Sequence, residues 1–429
     1  MRIKGEEQMA VIKPFKAVRP KPRFVERVST LPYDVFTNKE ARDTVVRNPM
    51  SFLRIVRPET TFPRNVDMYS DKVYERARAL IRDNINKGIF VEEERETYYI
   101  YREIMNGRTQ TGLVASFSVD DYKNNVIKKH EFTRPEKEND RTRHIDICSA
   151  QTGLVFLAFQ ATLQTKQLLE KATHQEPLYD FVSADNVHQL VWKIDEPEKV
   201  AKITEVFAQI DSLYIADGHH RCASAASVCD KRRRKNPDYT GKEEYNYFMA
   251  VAFPHDQLLI MPYNRTVKDL NGLTPRKLLQ EIEQAGFEVS RIRKIMKQRT
   301  RAHGGYQPRR KNEITMFLAG KWYRLIAKPS IIKTDALGCL DVNLLQDNIL
   351  GPILGINDPR TDKRIDFVGG IRGIAELEKR CREDMKVAFA LYPTTMDELI
   401  RVTDEGKVMP PKSTWFEPKL QSGLFIHRI

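Results

Sequence analysis

The sequence predicts a mixed α+β fold arranged as two packed units, and three observations lead there. Strand-like and helix-like apolar periodicities are interspersed along the chain. Hairpin signals at Asn106-Gly107 and Ala319-Gly320 join neighbouring strands in both halves. No Gly/Ser-rich or Pro-rich spacer of linker length divides those halves, and the short polar turn at Asn271-Gly272 leaves little slack. We therefore expect a unit over residues 1–272 that carries the chemistry, and a second over 273–429 that packs back on it. The length of 429 residues suits about two or three domains.

Taken in order, residues 14–22 are rich in Pro and Lys and read as extended surface chain. A helix over 39–47 should stop at Asn48-Pro49, because the residue before proline avoids the α region. Residues 51–56 read as a strand. Over 69–88, Val73, Ala77, Leu80, Ile81 and Ile85 have the spacing of one helical face, with Gly88 at the C′ position. Residues 96–105 and 110–119 are the strands of a hairpin. The stretch 127–144 mixes charges of both signs with no apolar stripe before about Asn139, so it reads as a site loop running into a helix rather than a purely solvated helix. A turn at Gln151 enters a buried strand to Ala158, followed by a helix through Lys171, a strand over 187–194 and a helix over 197–209. Residues 213–216 form a short buried strand and 222–228 a tightly packed helix. Strands over 245–253 and 258–267 follow. Thr274 then caps, and Pro275 starts, a helix that Gly286 ends. Strands at 313–318 and 322–327 precede helices at 342–350, 375–388 and 395–404.

Hydrophobic residues make up 41% and charged residues 30%, the balance of an ordinary globular protein. No run of about 18 apolar residues could span a membrane, and residues 1–7 lack the apolar region of a secretory signal. A cytoplasmic location is the expectation. The five cysteines are scattered, without a C-x-x-C pair, which argues against a disulfide framework or a structural zinc site. The formal charge of +13 invites a nucleic-acid partner, but much of the excess sits in two patches, Lys231 to Lys235 and Arg299 to Lys311. Each lies beside Gly, Pro or Asn and reads as a solvated loop, without interleaved aromatics or a helix-turn-helix signature. Nucleic acid is therefore the disfavoured partner, and a homo-oligomer is compatible with the sequence.

The stretch that organises the chain is Asp217-Gly218-His219-His220-Arg221, set between the strand at 213–216 and the helix at 222–228. Glycine lets the backbone turn sharply, the helix start offers N–H groups and a positive dipole end, and His220 and Arg221 add donors. An arginine fork matches two phosphate oxygens at once, so this is the chemistry of an anion site. A plain strand-to-helix turn with a surface histidine pair is the competing reading. A zinc site from His130 and His144 matches no known spacing.

Asp217 to Arg221 resembles the Asp-Gly-His-His-Arg box of free serine kinases in the ParB and sulfiredoxin-like superfamily. Most of the chain resembles a family of about 400-residue cytosolic proteins, members of which are ATP-dependent L-serine kinases. The landmarks are Pro32-Tyr33-Asp34-Val35, Asn48-Pro49 with Ser51-Phe52-Leu53, Gln110-Thr111-Gly112, Lys128-Lys129-His130-Glu131 with Thr133-Arg134, Pro262 to Arg265, Phe367 to Gly370 and Met409 to Trp415. Their order along one chain is what is specific. The resemblance implies a ParB/sulfiredoxin-like core that uses ATP and Mg²⁺ to phosphorylate the hydroxyl of free L-serine, giving O-phospho-L-serine. The box, with Gly218, His219, His220 and Arg221, would hold phosphates. Lys129, Arg134 and Arg141 would add charge, and Tyr33, Thr133 and His130 would face the substrate. Asp217 would orient His220 or hold Mg²⁺ through water, and Glu131 or Asp34 would be the base. Glu131 is preferred because Lys128, Lys129 and Arg134 flank it and would keep it ionised, whereas Asp34 has no basic neighbour in its segment. No Walker G-x-x-x-x-G-K-[ST] occurs, so the phosphate site is not a P-loop. The alternatives are a nucleotide-switched nucleic-acid binder, a nucleotide hydrolase, and a kinase of another small hydroxyl compound. The Phe367 and Met409 landmarks are expected to return to the active cleft.

Overall fold

A computed structural model describes residues 9–293 and 306–429. The segment 1–7, and Arg299 and Arg301 of the second basic patch, lie outside the described residues. The protein is α+β throughout, and its contacts divide it into two units, Met1–Leu258 with Pro418–Ile429, and Leu259–Glu417. This division falls at Leu258, whereas Gly272 was expected. The reason is local: Pro262 interrupts what reads as one strand over 258–267. Its first part, Leu259–Met261, pairs with Trp415–Glu417, and its second, Tyr263–Val267, joins a different sheet.

Among the described residues of the first unit, a nine-stranded sheet carries the core. From one edge its strands are Ile127–Lys128, Leu213–Asp217, Val155–Phe159, Tyr247–Pro254, Arg108–Ser118, Tyr98–Met105, His188–Ile194 and Tyr179–Val182, with Ile12–Lys13 also paired to Arg108–Ser118. The Tyr98–Met105 and Arg108–Ser118 strands form the expected hairpin, with Asn106 and Gly107 both at positive φ. Leu113, Ala115 and Phe117 alternate into the main apolar cluster with Leu157, Phe159, Leu213 and Ile215. A second, four-stranded sheet joins Phe90–Glu92, Ala17–Pro20, Ile426–Arg428 and Ala150–Gln151. The segment expected as surface chain is thus partly a buried strand, covered because a partner from the far C-terminus lies beside it.

Two strand directions create the site. Ile127–Lys128 runs parallel to Leu213–Asp217, so the residues after Lys128 emerge beside the turn after Asp217. Val155–Phe159 runs antiparallel to Leu213–Asp217, with Phe156 opposite Asp217, so its preceding residues Thr152 to Leu154 reach the same end. Side chains at strand ends in such a crevice converge without any one segment encoding it.

Among its described residues the second unit holds a six-stranded, wholly antiparallel sheet ordered Phe287–Arg291, Lys321–Ala327, Glu313–Leu318, Val387–Ala390, Tyr263–Val267 and Ile365–Gly369. Its landmarks gather on one another. A Cβ on Gly369 would lie 2.7 Å from the Trp415 ring and one on Gly370 2.7 Å from Pro262, while Tyr263 packs 5.2 Å from Trp415. Arg265, buried, donates to the carbonyls of Tyr263 and Pro411 and lies over Phe367; burial pulls its guanidinium down to about 10.

Candidate active site

The box sits where the strand Leu213–Asp217 becomes the helix His219–Lys235. Gly218 takes φ +97°, a left-handed conformation that side-chain-bearing residues rarely adopt. It also clears space: a Cβ there would lie 3.2 Å from the Arg221 guanidinium carbon and 3.4 Å from the Val155 backbone. On the other side Gly153 lies against the same side chain, its Cβ position 3.5 Å from Arg221 Cδ. Arg221 is thereby held between two glycine backbones, with Nη1 donating to the Leu154 carbonyl. Small residues from Cys222 to Cys229 let the helix behind it pack close to Pro135–Cys148, and Ser224 and Ser227 donate to the Glu138 carbonyl and carboxylate.

Asp217 faces this turn from the strand end. Its Oδ1 accepts the Gly218 N–H at 2.8 Å, and its Oδ2 lies 3.2 Å from Lys419 Nζ and 3.9 Å from Arg221 Nη2. Burial pushes the Asp217 carboxyl up, but Lys419 and Arg221 outweigh it and hold it well below the usual carboxylate range. A carboxylate already shared by two cations and a backbone N–H fits a Mg²⁺ ion poorly, and suits a residue that aims Arg221. Lys419 was not singled out in the sequence. It comes from the C-terminal stretch, 202 residues away.

The loop after Lys128 closes over the box. His130 is buried, and its ring meets that of His219 edge-on at 4.5 Å. The His130 N–H points to His219 Nε2 at 3.4 Å. Burial pushes His130 down to about 4, and burial together with the neighbouring His130 takes His219 well below its usual value, so both rings are neutral at physiological pH. His220 is turned to the loop as well: its Nε2 accepts the Arg134 N–H at 3.0 Å. Thr133 donates to Glu138 at 2.9 Å. Glu131 is half-buried, and one of its oxygens lies within 4.8 Å of ring nitrogens of both His130 and His219. The Lys129 and Arg134 side chains are exposed, with Lys129 Nζ 5.7 Å from the Tyr122 ring centroid. The expected loop-to-helix transition falls at Pro135, four residues before Asn139, since proline at the first helical position needs no apolar stripe to start a helix.

Beside Arg221 lies a small cavity of about 40 Å³, lined by Tyr33, Arg141, Thr152, Gly153 and Arg221 among others. Tyr33 and Arg141 stack, guanidinium carbon to ring 4.4 Å. Burial works against the Arg141 charge, but Asp140 and Tyr33 more than offset it and raise its pKa. Its donors are largely spent on Asp140, at 2.7 and 3.0 Å, and on the Val56 carbonyl at 3.2 Å. Arg141 therefore supplies field and shape more than a free fork. Asp34 is exposed and does not line this cavity. His144, which also lines it, bonds the Ile55 carbonyl at 2.8 Å and is pushed by burial down to about 4.

The first basic run is not a loop. Lys231 to Lys235 is the last turn of the box helix, with Lys231 paired to Asp146 at 2.6 Å and Arg233 forked onto Asp120 at 2.8 Å. In the second patch, Lys311 pairs with Glu398. None of the five cysteines forms a disulfide. Among the described residues no helix is long and apolar enough to cross a membrane.

Fold and site together define an α+β protein with a strand–glycine–helix turn beside a cavity lined by Arg141 and Arg221. The chain belongs to the family described as "Protein of unknown function (DUF1015)", whose profile matches residues 12–343. No curated protein matches it. Among solved structures it is similar to a free serine kinase in complex with AMP, 12% identical over 71% of this chain and 86% of that one, at a TM-score of 0.32. It is also similar to SbnI with a C-terminal truncation from Staphylococcus aureus, with 11% identity, 73% and 87% coverage and a TM-score of 0.38. A conserved hypothetical protein from Pyrococcus furiosus gives 14% identity, 74% and 95% coverage and a TM-score of 0.32. Likenesses at this level carry no argument about this chain.

Proposed function

We propose that the first unit is a nucleotide-dependent phosphotransferase that phosphorylates the hydroxyl of free L-serine to give O-phospho-L-serine. The observation that carries this reading is Arg221, packed against Gly153 and Gly218 at a helix start and lining a small cavity beside Tyr33 and Arg141. ATP is the expected nucleotide and, when bound, supplies the phosphoryl group. Phosphoryl transfer asks little covalent chemistry of the protein beyond positioning and charge. Arg221 and the helix-start N–H groups bind phosphate oxygens, and Asp217 with Lys419 fixes the direction of the Arg221 fork. His130 and His219, neutral and buried, exclude water from one side of the turn. Glu131 accepts the proton of the serine hydroxyl as its oxygen attacks phosphorus and the bond to the leaving nucleotide breaks. Tyr33 and Thr133 border the acceptor, and Mg²⁺ is expected to accompany the phosphates without using Asp217 as its holder.

The test is direct. Purified full-length protein, ATP, Mg²⁺ and L-serine should give phosphoserine and ADP by mass spectrometry, and Arg221→Ala should lose both turnover and nucleotide affinity. A panel with ADP and pyrophosphate as donors, and with water and other small alcohols as acceptors, separates hydrolysis or another acceptor from serine. Absence of phosphoserine with every donor ends this reading.

A further inference from the structure

We infer that His130, Glu131 and His219 form a binding site for a divalent first-row transition-metal ion, of the class of Mn²⁺ or Zn²⁺. The three offer one ligand atom each, and these atoms all lie within 4.8 Å of one another. Metal–ligand bonds of about 2.0–2.2 Å place neighbouring donors roughly 3 to 3.6 Å apart, so only a small contraction closes the set around an ion. The histidines are buried and come from two rigid origins: His130 from the end of a strand paired in parallel with Leu213–Asp217, and His219 from the first residue of the box helix. A His130 hydrogen bond to the Ile215 backbone anchors that ring in the way that orients metal-ligating imidazoles. The contact holding His219, 3.4 Å from the His130 N–H, is at the long limit for a hydrogen bond and gives way readily to a metal bond.

The donor types decide the metal. Two imidazole nitrogens and one carboxylate oxygen suit Mn²⁺, Fe²⁺, Co²⁺ or Zn²⁺, whereas Mg²⁺ favours an all-oxygen octahedron and keeps its waters. Three protein ligands leave open positions, as in metal sites that also contact a substrate. Glu131 can ligate through one oxygen and keep the other for a proton. The site adds to the phosphotransferase reading but is measured without nucleotide, so the two stand or fall separately.

Metal-stripped full-length protein should be titrated with Mn²⁺, followed by loss of the free-ion electron paramagnetic resonance signal, and with Zn²⁺ in competition. One equivalent should bind, with Mg²⁺ competing at least 100-fold more weakly. Glu131→Gln and His219→Ala should each weaken binding tenfold or more, while Asp34→Asn, exposed and not among the donors, should bind as the parent does. Glu131 is half-buried, so its variant remains informative if His219→Ala fails to fold. No binding, or binding unchanged in Glu131→Gln, overturns the assignment. Phosphoserine formation in Mg²⁺ alone by protein that binds no Mn²⁺ or Zn²⁺ would leave the kinase reading standing and remove this one.

Discussion

Lys419→Met should loosen the box and weaken nucleotide binding together. Lys419 Nζ is 3.2 Å from Asp217 Oδ2, and Arg221 Nη2 is 3.9 Å from the same oxygen. At an effective dielectric of about 20 the two gross attractions are roughly 5 and 4 kcal/mol, much of which desolvation cancels. The Lys419 side chain is 16% exposed and that of Asp217 31%, between a surface pair and a buried one, so a net loss of about 2 kcal/mol is expected. With methionine at 419, Arg221 is the remaining cation for the carboxylate and swings toward it, out of the slot between Gly153 and Gly218. Nucleotide Kd should rise about tenfold, which is ~1.4 kcal/mol, and the melting temperature of the first unit should fall by about 5 °C. The carboxyl, held low by its partners, contributes stability at pH values above its unfolded pKa that is lost as pH falls; the variant should lose it at higher pH than the parent. Calorimetric titration with ATP and melts of Lys419→Met, Asp217→Asn and the double variant test this. If the two substitutions are additive within about 0.5 kcal/mol, Lys419 is not coupled to Asp217 and the account of how Arg221 is aimed fails.

Glu131→Gln should lower kcat by about 10² to 10⁴ with little change in nucleotide affinity; parent-like turnover there, with a dead Asp34→Asn, would move the base to Asp34. His130 and His144 both sit near 4 when folded against about 6.5 unfolded, so the unfolded chain binds more protons between those values and stability falls as pH drops through the window. Between pH 7 and 5 each imidazole should cost about 2 kcal/mol, and His144→Gln should remove one share of that slope in urea unfolding. In the second unit burial pushes Asp341 up to about 7, with Asn312 N–H donating to it at 3.0 Å. The folded state keeps that proton longer, so the cost of ionisation builds as pH rises from about 4 to 7. Asp341→Asn keeps an acceptor for Asn312, and its gain in stability should be larger at pH 8 than at pH 5 by about 3 kcal/mol; an equal gain at both would refute the assignment.

Where a residue pattern is local and its chemistry has one solution, the sequence was enough. The helix Asn38–Arg47 begins at a Thr37–Glu40 capping box and ends at Asn48 before proline. The hairpin at Asn106-Gly107 could be read from two residues. The short apolar run 51–56 could not: it reads as a strand, yet Leu53–Val56 is a helical turn, started by Ser51 Oγ accepting the Leu53 N–H and ended at Arg57 before proline. It is buried on nearly every side, which erases the periodicity that separates helix from strand. The expected helix over 375–388 ends at Glu383, and Val387–Ala390 is a central strand of the second sheet. No glycine or proline marks that break, which falls at the C-cap Asp384.

The site divides in the same way, and for the same physical reason. The box was visible because a positive-φ glycine, two histidines and an arginine fall within five residues. Its supports were not, because Lys419, Gly153 and the Leu154 carbonyl reach Arg221 and Asp217 only through strand directions. The parallel pairing of Ile127–Lys128 with Leu213–Asp217 brings His130 and Glu131 to the box, and the antiparallel Val155–Phe159 brings the glycine wall. A flexible Arg on a helix start loses rotamer entropy when it binds, whereas Arg221 is fixed beforehand by two glycine backbones, a carbonyl and a carboxylate that Lys419 in turn restrains. The ordering cost falls on folding rather than on binding. Such preorganisation is wasted on a surface turn and favours a site that must hold an anion in one orientation while chemistry proceeds beside it.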